Sequence, residues 1–142
     1  MTREDIVRVA LECEGTPYRH QGRVIGVGMD CPAPYCHVCE TLGIPYKDEM
    51  GYPRTPFDGR MVAILDAQPS LRVVNKSEMD AGDVLCMRIA SAPQHMAIHL
   101  GKINGFDYIL HGSSEHGKVA AHRLCDVWGA RVVRVYRFEG IQ

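Results

Sequence analysis

Apolar residues follow two different periods along this chain, and the change comes near its middle. Ile6, Val9, Ala10 and Cys13 recur at the three- and four-residue spacing of one helix face. Thr2 and Asp5 stand before that stripe at the spacing of a reciprocal N-terminal cap, and Gly15 then Pro17 stop it. A helix is expected over about residues 3–14. A second should run from Cys31 to about Leu42, ended by Gly43 and Pro45. Pro32 and Pro34 fall in its first turn, where no intrahelical N–H bond is lost. Residues 45–56 read as irregular, with Tyr52-Pro53 and Thr55-Pro56 as breakers, before a short helix near Gly59–Ala67.

Beyond that point the period drops to two. Val84–Ile89 follows a Gly82-Asp83 turn, and residues 95–101 alternate, with Met96, Ile98 and Leu100 on one face and His95, Ala97 and His99 on the other. Phe106–His111 is its expected partner, and short strands near 118–122 and 130–138 complete the set. Helices first and strands second, with hairpin-length connections, indicate an α+β fold with an antiparallel sheet. No repeat, low-complexity stretch or linker divides the chain, so residues 1–142 are expected to form a single domain.

Composition narrows the class. The 142 residues are 46% hydrophobic and 23% charged, within the globular range, and the formal net charge of −1 carries no block of like charges. Bulk electrostatics therefore give no reason to expect nucleic-acid or membrane partners. The start, Met1 to Val7, lacks the basic-then-apolar pattern of a secretory signal, and no apolar run approaches the ~20 residues that span a bilayer. Synthesis and folding in the cytoplasm are expected. The six cysteines are then expected as reduced thiols packed like small apolar side chains, Cys31 excepted.

Cys31 ends a loop, residues 15–30, that carries four glycines and is longer than a plain connector needs. A thiol at a helix N-terminus feels the partial positive charge of unpaired N–H groups, which favours the nucleophilic thiolate. His95 and His111 lie downstream on strand-like segments, the layout of a cysteine hydrolase. Their register decides whether they meet. A two-residue Asn104-Gly105 turn pairs Ile98 with His111 and puts His95 on the opposite face. A three-residue Ile103-Asn104-Gly105 loop, or an equivalent bulge, shifts the register by one and sets the two imidazoles side by side. His95 would then take the Cys31 proton, or hold it permanently as an imidazolium beside a thiolate, and His111 would orient His95.

The residues that carry this layout resemble the NlpC/P60 peptidoglycan endopeptidases, and within them the phage-tail peptidases. The matching pieces, in family order, are Gly15-Thr16-Pro17-Tyr18-Arg19-His20-Gln21-Gly22, Gly26 to Cys31, Ala81 to Leu85, His95 to Gly101, Tyr108 to Gly112, and Trp128 with Tyr136-Arg137-Phe138. The resemblance implies a papain-like fold of N-terminal helices packed on a C-terminal antiparallel sheet. It implies Cys31 as nucleophile, His95 as base and His111 as orienting residue, with no cofactor or metal. Tyr18 matches a tyrosine near the family nucleophile and is a candidate oxyanion donor, and Asp30 joins it as a candidate substrate-binding residue. The implied substrate is the D-γ-glutamyl–diamino acid amide of peptidoglycan stem peptides, and the implied partners are phage-tail proteins. The family usually continues Asp-Cys with a small residue and a glycine, whereas this chain has Pro32-Ala33-Pro34-Tyr35. The alternative reading is an inactive structural or assembly component of a tail that keeps the fold.

Other residues carry weaker signals. Cys36, Cys39 and His37 with Cys31 could be scored as a zinc cluster, but they share no tight helix face and packing is the expected role. His99 is expected as a satisfied structural histidine rather than a ligand. His20 is open between substrate contact and surface. Ser113, Ser114 and His116 are open between substrate contacts and a polar turn. For Asp30, bonding to loop N–H groups competes with contact to a substrate amine.

Overall fold

In the computed structural model, which describes residues 1–53, 59–89 and 92–142, helix α1 spans Arg3–Leu11. The Thr2 hydroxyl accepts from the Asp5 N–H at 3.1 Å and the Asp5 carboxylate accepts from the Thr2 N–H at 2.9 Å, so two otherwise orphaned donors are satisfied reciprocally. Helix α2 covers Ala33–Leu42 and ends at Gly43, whose φ of 68° is the left-handed stop the sequence suggested. Between them the glycine-rich loop holds a miniature hairpin, β1 (Arg23–Val24) and β2 (Gly28–Met29), too short for the residue pattern to signal. Helix α3 covers Arg60–Asp66. Residues 45–53 form no helix or strand, and the Thr55-Pro56 breaker lies outside the described residues.

The remaining strands are β3 (Leu71–Val74), β4 (Val84–Ile89), β5 (Ala92–Ile103), β6 (Phe106–Ser113), β7 (Lys118–Arg123) and β8 (Val132–Phe138). They form one antiparallel sheet in the order β3-β8-β4-β5-β6-β7, with a one-turn helix α4 (Asp126–Gly129) before β8. One face packs Val84, Cys86, Met96, Ile98, Leu110, Tyr136 and Phe138 against Ile6, Val9, Val38 and Leu65 of the helices. The other face carries a second apolar cluster of Leu85, Met87, Ala97, Ile109 and Val135, partly roofed by Trp128. Burial on both faces explains why β4 reads as a continuous apolar run rather than an alternation. The α+β class, with N-terminal helices on a C-terminal antiparallel sheet, is the fold observed.

Of the two alternatives, a three-residue loop or an equivalent bulge, the β5–β6 connection uses the bulge. The turn has two residues, Asn104 and Gly105, both at positive φ (53° and 83°), which matches the twist of a tight hairpin. The register shift comes three residues earlier instead. Gly101 pairs with Tyr108, but His99 pairs with Ile109, so Leu100 is an extra residue in β5. His99 holds this bulge. Its Nδ1 accepts the Gly101 N–H at 2.9 Å and its Nε2 faces the Asp107 carboxylate at 3.0 Å, with the ring buried. Continuing the shifted register sets His111 opposite Ala97 and diagonal to His95.

Candidate active site

The loop before α2 is stitched in place from both sides. Gly15 N–H donates to the Val119 carbonyl, Tyr18 N–H to the Gly117 carbonyl, and Arg19 N–H to the Met29 carbonyl. Asp30, buried one residue before the candidate nucleophile, accepts from the Gln21 N–H at 2.7 Å, from Arg23 Nη1 at 2.7 Å and from the Tyr52 hydroxyl. Both its oxygens are engaged by internal donors, so in this structure Asp30 holds the loop rather than facing a ligand. Arg23 also pairs with Asp48 at 3.0 Å, so one guanidinium bridges both carboxylates. Strand β6 passes very close behind. A Cβ added at Gly112 would lie 2.2 Å from the Asp30 carbonyl oxygen, so only glycine lets this strand back onto the Asp30–Cys31 peptide.

These contacts present Cys31 in a cleft of about 90 Å³ lined also by Tyr18, Gln94, His95, Gly112 and Ser114. Tyr18 and Cys31, from the two ends of the glycine-rich loop, therefore meet His95 of β5. Gln94 was not singled out by the sequence. Its Oε1 is buried with no hydrogen-bond partner among the described residues. His20, set edge-on to Tyr52 at 5.4 Å, lines the neighbouring pocket beside Cys31.

Behind His95 runs a chain of imidazoles. His95 Nε2 lies 2.6 Å from His111 Nδ1, His111 Nε2 lies 2.8 Å from His122 Nε2, and His122 Nδ1 lies 2.9 Å from the Arg123 carbonyl. The carbonyl can only accept, so His122 carries its proton on Nδ1. In the neutral form its Nε2 then accepts from His111 Nε2–H, and His111 Nδ1 accepts from His95 Nε2–H. One backbone carbonyl thus sets all three tautomers and leaves His95 Nδ1 with the lone pair a base needs. His122 escaped the sequence reading, although the signal was present. The Ser113–Lys118 pairing of β6 with β7 sets Ala120 opposite His111 and His122 on its diagonal.

The electrostatics correct one expectation. Burial, reinforced by the Asp30 carboxylate, pushes the Cys31 thiol up to about 12, against weaker opposing effects of a Met96 backbone hydrogen bond and Arg23. Burial, with Arg131 nearby, lowers His95 to about 4, and burial among His95, His122 and His116 lowers His111 to about 2. Both shifts favour the neutral thiol and the neutral imidazole over the ion pair. The local reason is visible in α2, whose first turn begins with two prolines that have no N–H to offer and whose Ala33 N–H is spent on the Asp30 carbonyl.

The remaining sulfur and nitrogen groups go elsewhere. Cys36 and Cys39 are buried free thiols, and His37 turns to Glu12 at 2.9 Å. Ser113 Oγ lies 2.8 Å from His116 Nδ1. Among the described residues, no helix is long and apolar enough to cross a membrane.

Among solved structures, the chain is similar to the NlpC/P60 domain of the peptidoglycan hydrolase SagA (22% identity, 97% of this chain and 100% of that one, TM-score 0.65). It is also similar to a lipoprotein-like NLP/P60-family protein from Staphylococcus aureus (19% identity, TM-score 0.63). That alignment covers 96% of this chain but 41% of the staphylococcal one, so the chain corresponds to less than half of that protein. At such identities the likeness speaks for the fold. No curated protein sequence gives a significant match. The NlpC/P60 family model matches residues 15–137, from the glycine loop to the last strand, and the chain belongs to the NlpC/P60 family.

Proposed function

We propose that this chain is a cysteine endopeptidase that cuts the D-γ-glutamyl–diamino acid amide of peptidoglycan stem peptides. The observation that carries the reading is the 2.6 Å His95–His111 bond beside the cleft that presents Cys31. Membership of the NlpC/P60 family and the likeness to a domain of a peptidoglycan hydrolase support the substrate class.

Because both shifts favour the neutral pair, His95 acts as a general base at the moment of attack. Its Nδ1 takes the Cys31 proton as Sγ adds to the amide carbon. The oxyanion that forms is stabilised by the Cys31 N–H and the Tyr18 hydroxyl. His95 then gives its proton to the leaving amine, and water, deprotonated by the same imidazole, releases the acid from the thioester. His111 keeps the ring aligned through both steps. The orphaned Gln94 Oε1 accepts a substrate N–H, since a buried acceptor without a partner gains most from one. The narrower form of the proposal places the protein with phage-tail components, made in the bacterial cytoplasm and acting on the wall.

Incubation with a purified stem tetrapeptide tests it. The wild type should release the dipeptide, and Cys31→Ala and His95→Ala should each lower turnover by ~10³-fold or more. Folded wild type that cleaves no wall fragment would favour the inactive tail component, a reading to which the raised Cys31 thiol and the paired prolines lend weight.

A further inference from the structure

The described residues hold one cluster of ligating side chains beside the cleft rather than in it. Nitrogens of His111, His116 and His122 all lie within 4.8 Å of one another. We propose that this cluster is an inhibitory site for a divalent transition cation of the zinc class. The inhibitory part rests on the peptidase reading; the binding part does not.

The donor set selects the cation. Three imidazoles and no carboxylate suit zinc, cobalt or nickel, and do not suit magnesium or calcium, which take oxygen. Two of the three ligands sit on adjacent paired strands, and the third, the exposed His116, sits on the turn that joins them. His116 stacks on His122 with ring centres 5.0 Å apart. His122 is already prepared as a ligand. Its Nδ1–H is fixed on the Arg123 carbonyl, the outer bond that metal-bound histidines usually make, and its Nε2 lone pair points at His111. Two nitrogens on one tetrahedral zinc stand ~3.3 Å apart, so the 2.8 Å His111–His122 contact need open only slightly. The fourth position falls to water.

The consequence for the cleft follows from proton positions alone. A cation on His111 Nε2 obliges that ring to carry its proton on Nδ1. His111 then donates to His95 Nε2 instead of accepting from it, and the His95 proton moves to Nδ1. Each ring keeps one proton and none is released, but the nitrogen that should receive the Cys31 proton no longer has a lone pair. Catalysis stops without the metal touching the sulfur.

Zinc titrated calorimetrically into the full chain, without substrate, should bind at one cation per chain. His116→Ala and His122→Ala should each weaken binding by ~10-fold or more, and Cys31→Ala should leave it unchanged. Long-range ¹⁵N–¹H spectra of the imidazoles should show the His95 proton pass from Nε2 to Nδ1 on zinc addition, a readout that needs no turnover. In the assay, His116→Ala should match the wild-type rate in chelator and resist zinc that silences the wild type. Absence of binding to folded protein, binding lost with Cys31→Ala, or a His95 proton that stays on Nε2 would each overturn the proposal. An inactive wild type that still binds zinc and shifts the proton would instead count against the peptidase reading alone.

Discussion

Asp83 and His111 are both sealed from solvent, and the fold treats them in opposite ways. Asp83 is clamped by Arg137 at 2.8 and 3.0 Å, by Arg3 at 3.4 Å and by the Asp80 N–H at 2.8 Å. His111 has no counter-charge among its hydrogen-bond partners. It is bonded to two other imidazoles and held neutral by burial. A buried ion pair fixes distances because moving either partner exposes an uncompensated charge. A buried neutral relay fixes distances less strictly, but its protons can change places at little electrostatic cost. Asp30, one residue from the nucleophile, belongs to the first kind, so the loop is pinned by charge while the base is tuned by tautomer.

The contrast is most severely tested by stranding the carboxylate. Arg137→Leu should destabilise the fold by ~3–5 kcal/mol, read from the urea midpoint, because Asp83 stays buried with only the longer Arg3 contact as counter-charge. A loss under ~1 kcal/mol would mean the clamp is ornamental.

The histidine side predicts a pH effect of defined sign. His111 stays neutral in the folded state down to about 2, whereas an unfolded histidine binds a proton near 6.5. The unfolded chain therefore binds more protons below that value, and the stabilisation, present above it, is lost as pH falls. Between neutral pH and pH 5 His111 alone should cost the fold roughly 2 kcal/mol, measured by denaturation in chelator. His95 adds to this until about 4. In His111→Phe the fall should be smaller by that amount; an unchanged fall would show that the ring is not held neutral.

The smallest effect separates orientation from structure. His122→Phe strands the buried His111 Nε2–H, so it should cost the fold only ~1 kcal/mol and lower turnover by ~10-fold, the loss of one orienting hydrogen bond, about 1.4 kcal/mol. His122→Gln, which restores an acceptor for the His111 proton, should recover most of it. Equal losses in both variants would assign His122 to packing.

Local chemistry made much of this legible in the sequence. The Thr2–Asp5 box, the Gly43 stop and the alternation through His95–Leu100 depend on neighbours within a few residues, and each element stands where they put it. The β5–β6 register was legible as a condition rather than an answer, because a bulge at Leu100 is held by His99 through Asp107, a contact that exists only once the strands have paired. The edge strand Leu71–Val74 was missed since its four residues acquire their meaning from pairing with β8, more than sixty positions away. For the same reason the Cys31 environment was misjudged. Helix position argues for a thiolate, but burial, the Asp30 carboxylate beside it and a first turn that its prolines leave short of N–H groups all favour the thiol. Gln94 carried no motif at all, and only the cleft gives its amide significance.

Leu100 acts as a parity bit. One residue more than its partner strand requires, it decides which side of the sheet everything after it faces. Were it paired in the ladder instead of bulged out of it, the rest of β6 would turn over in register with β5. His111 would then face the helices, and Leu110 would face the side that now holds the imidazoles. Deleting Leu100 outright would instead remove the bulge and keep His99 opposite Ile109, so the register that brings His95 and His111 together would survive. The histidine relay depends on counting in this stretch of chain as much as on the identity of the residues in it.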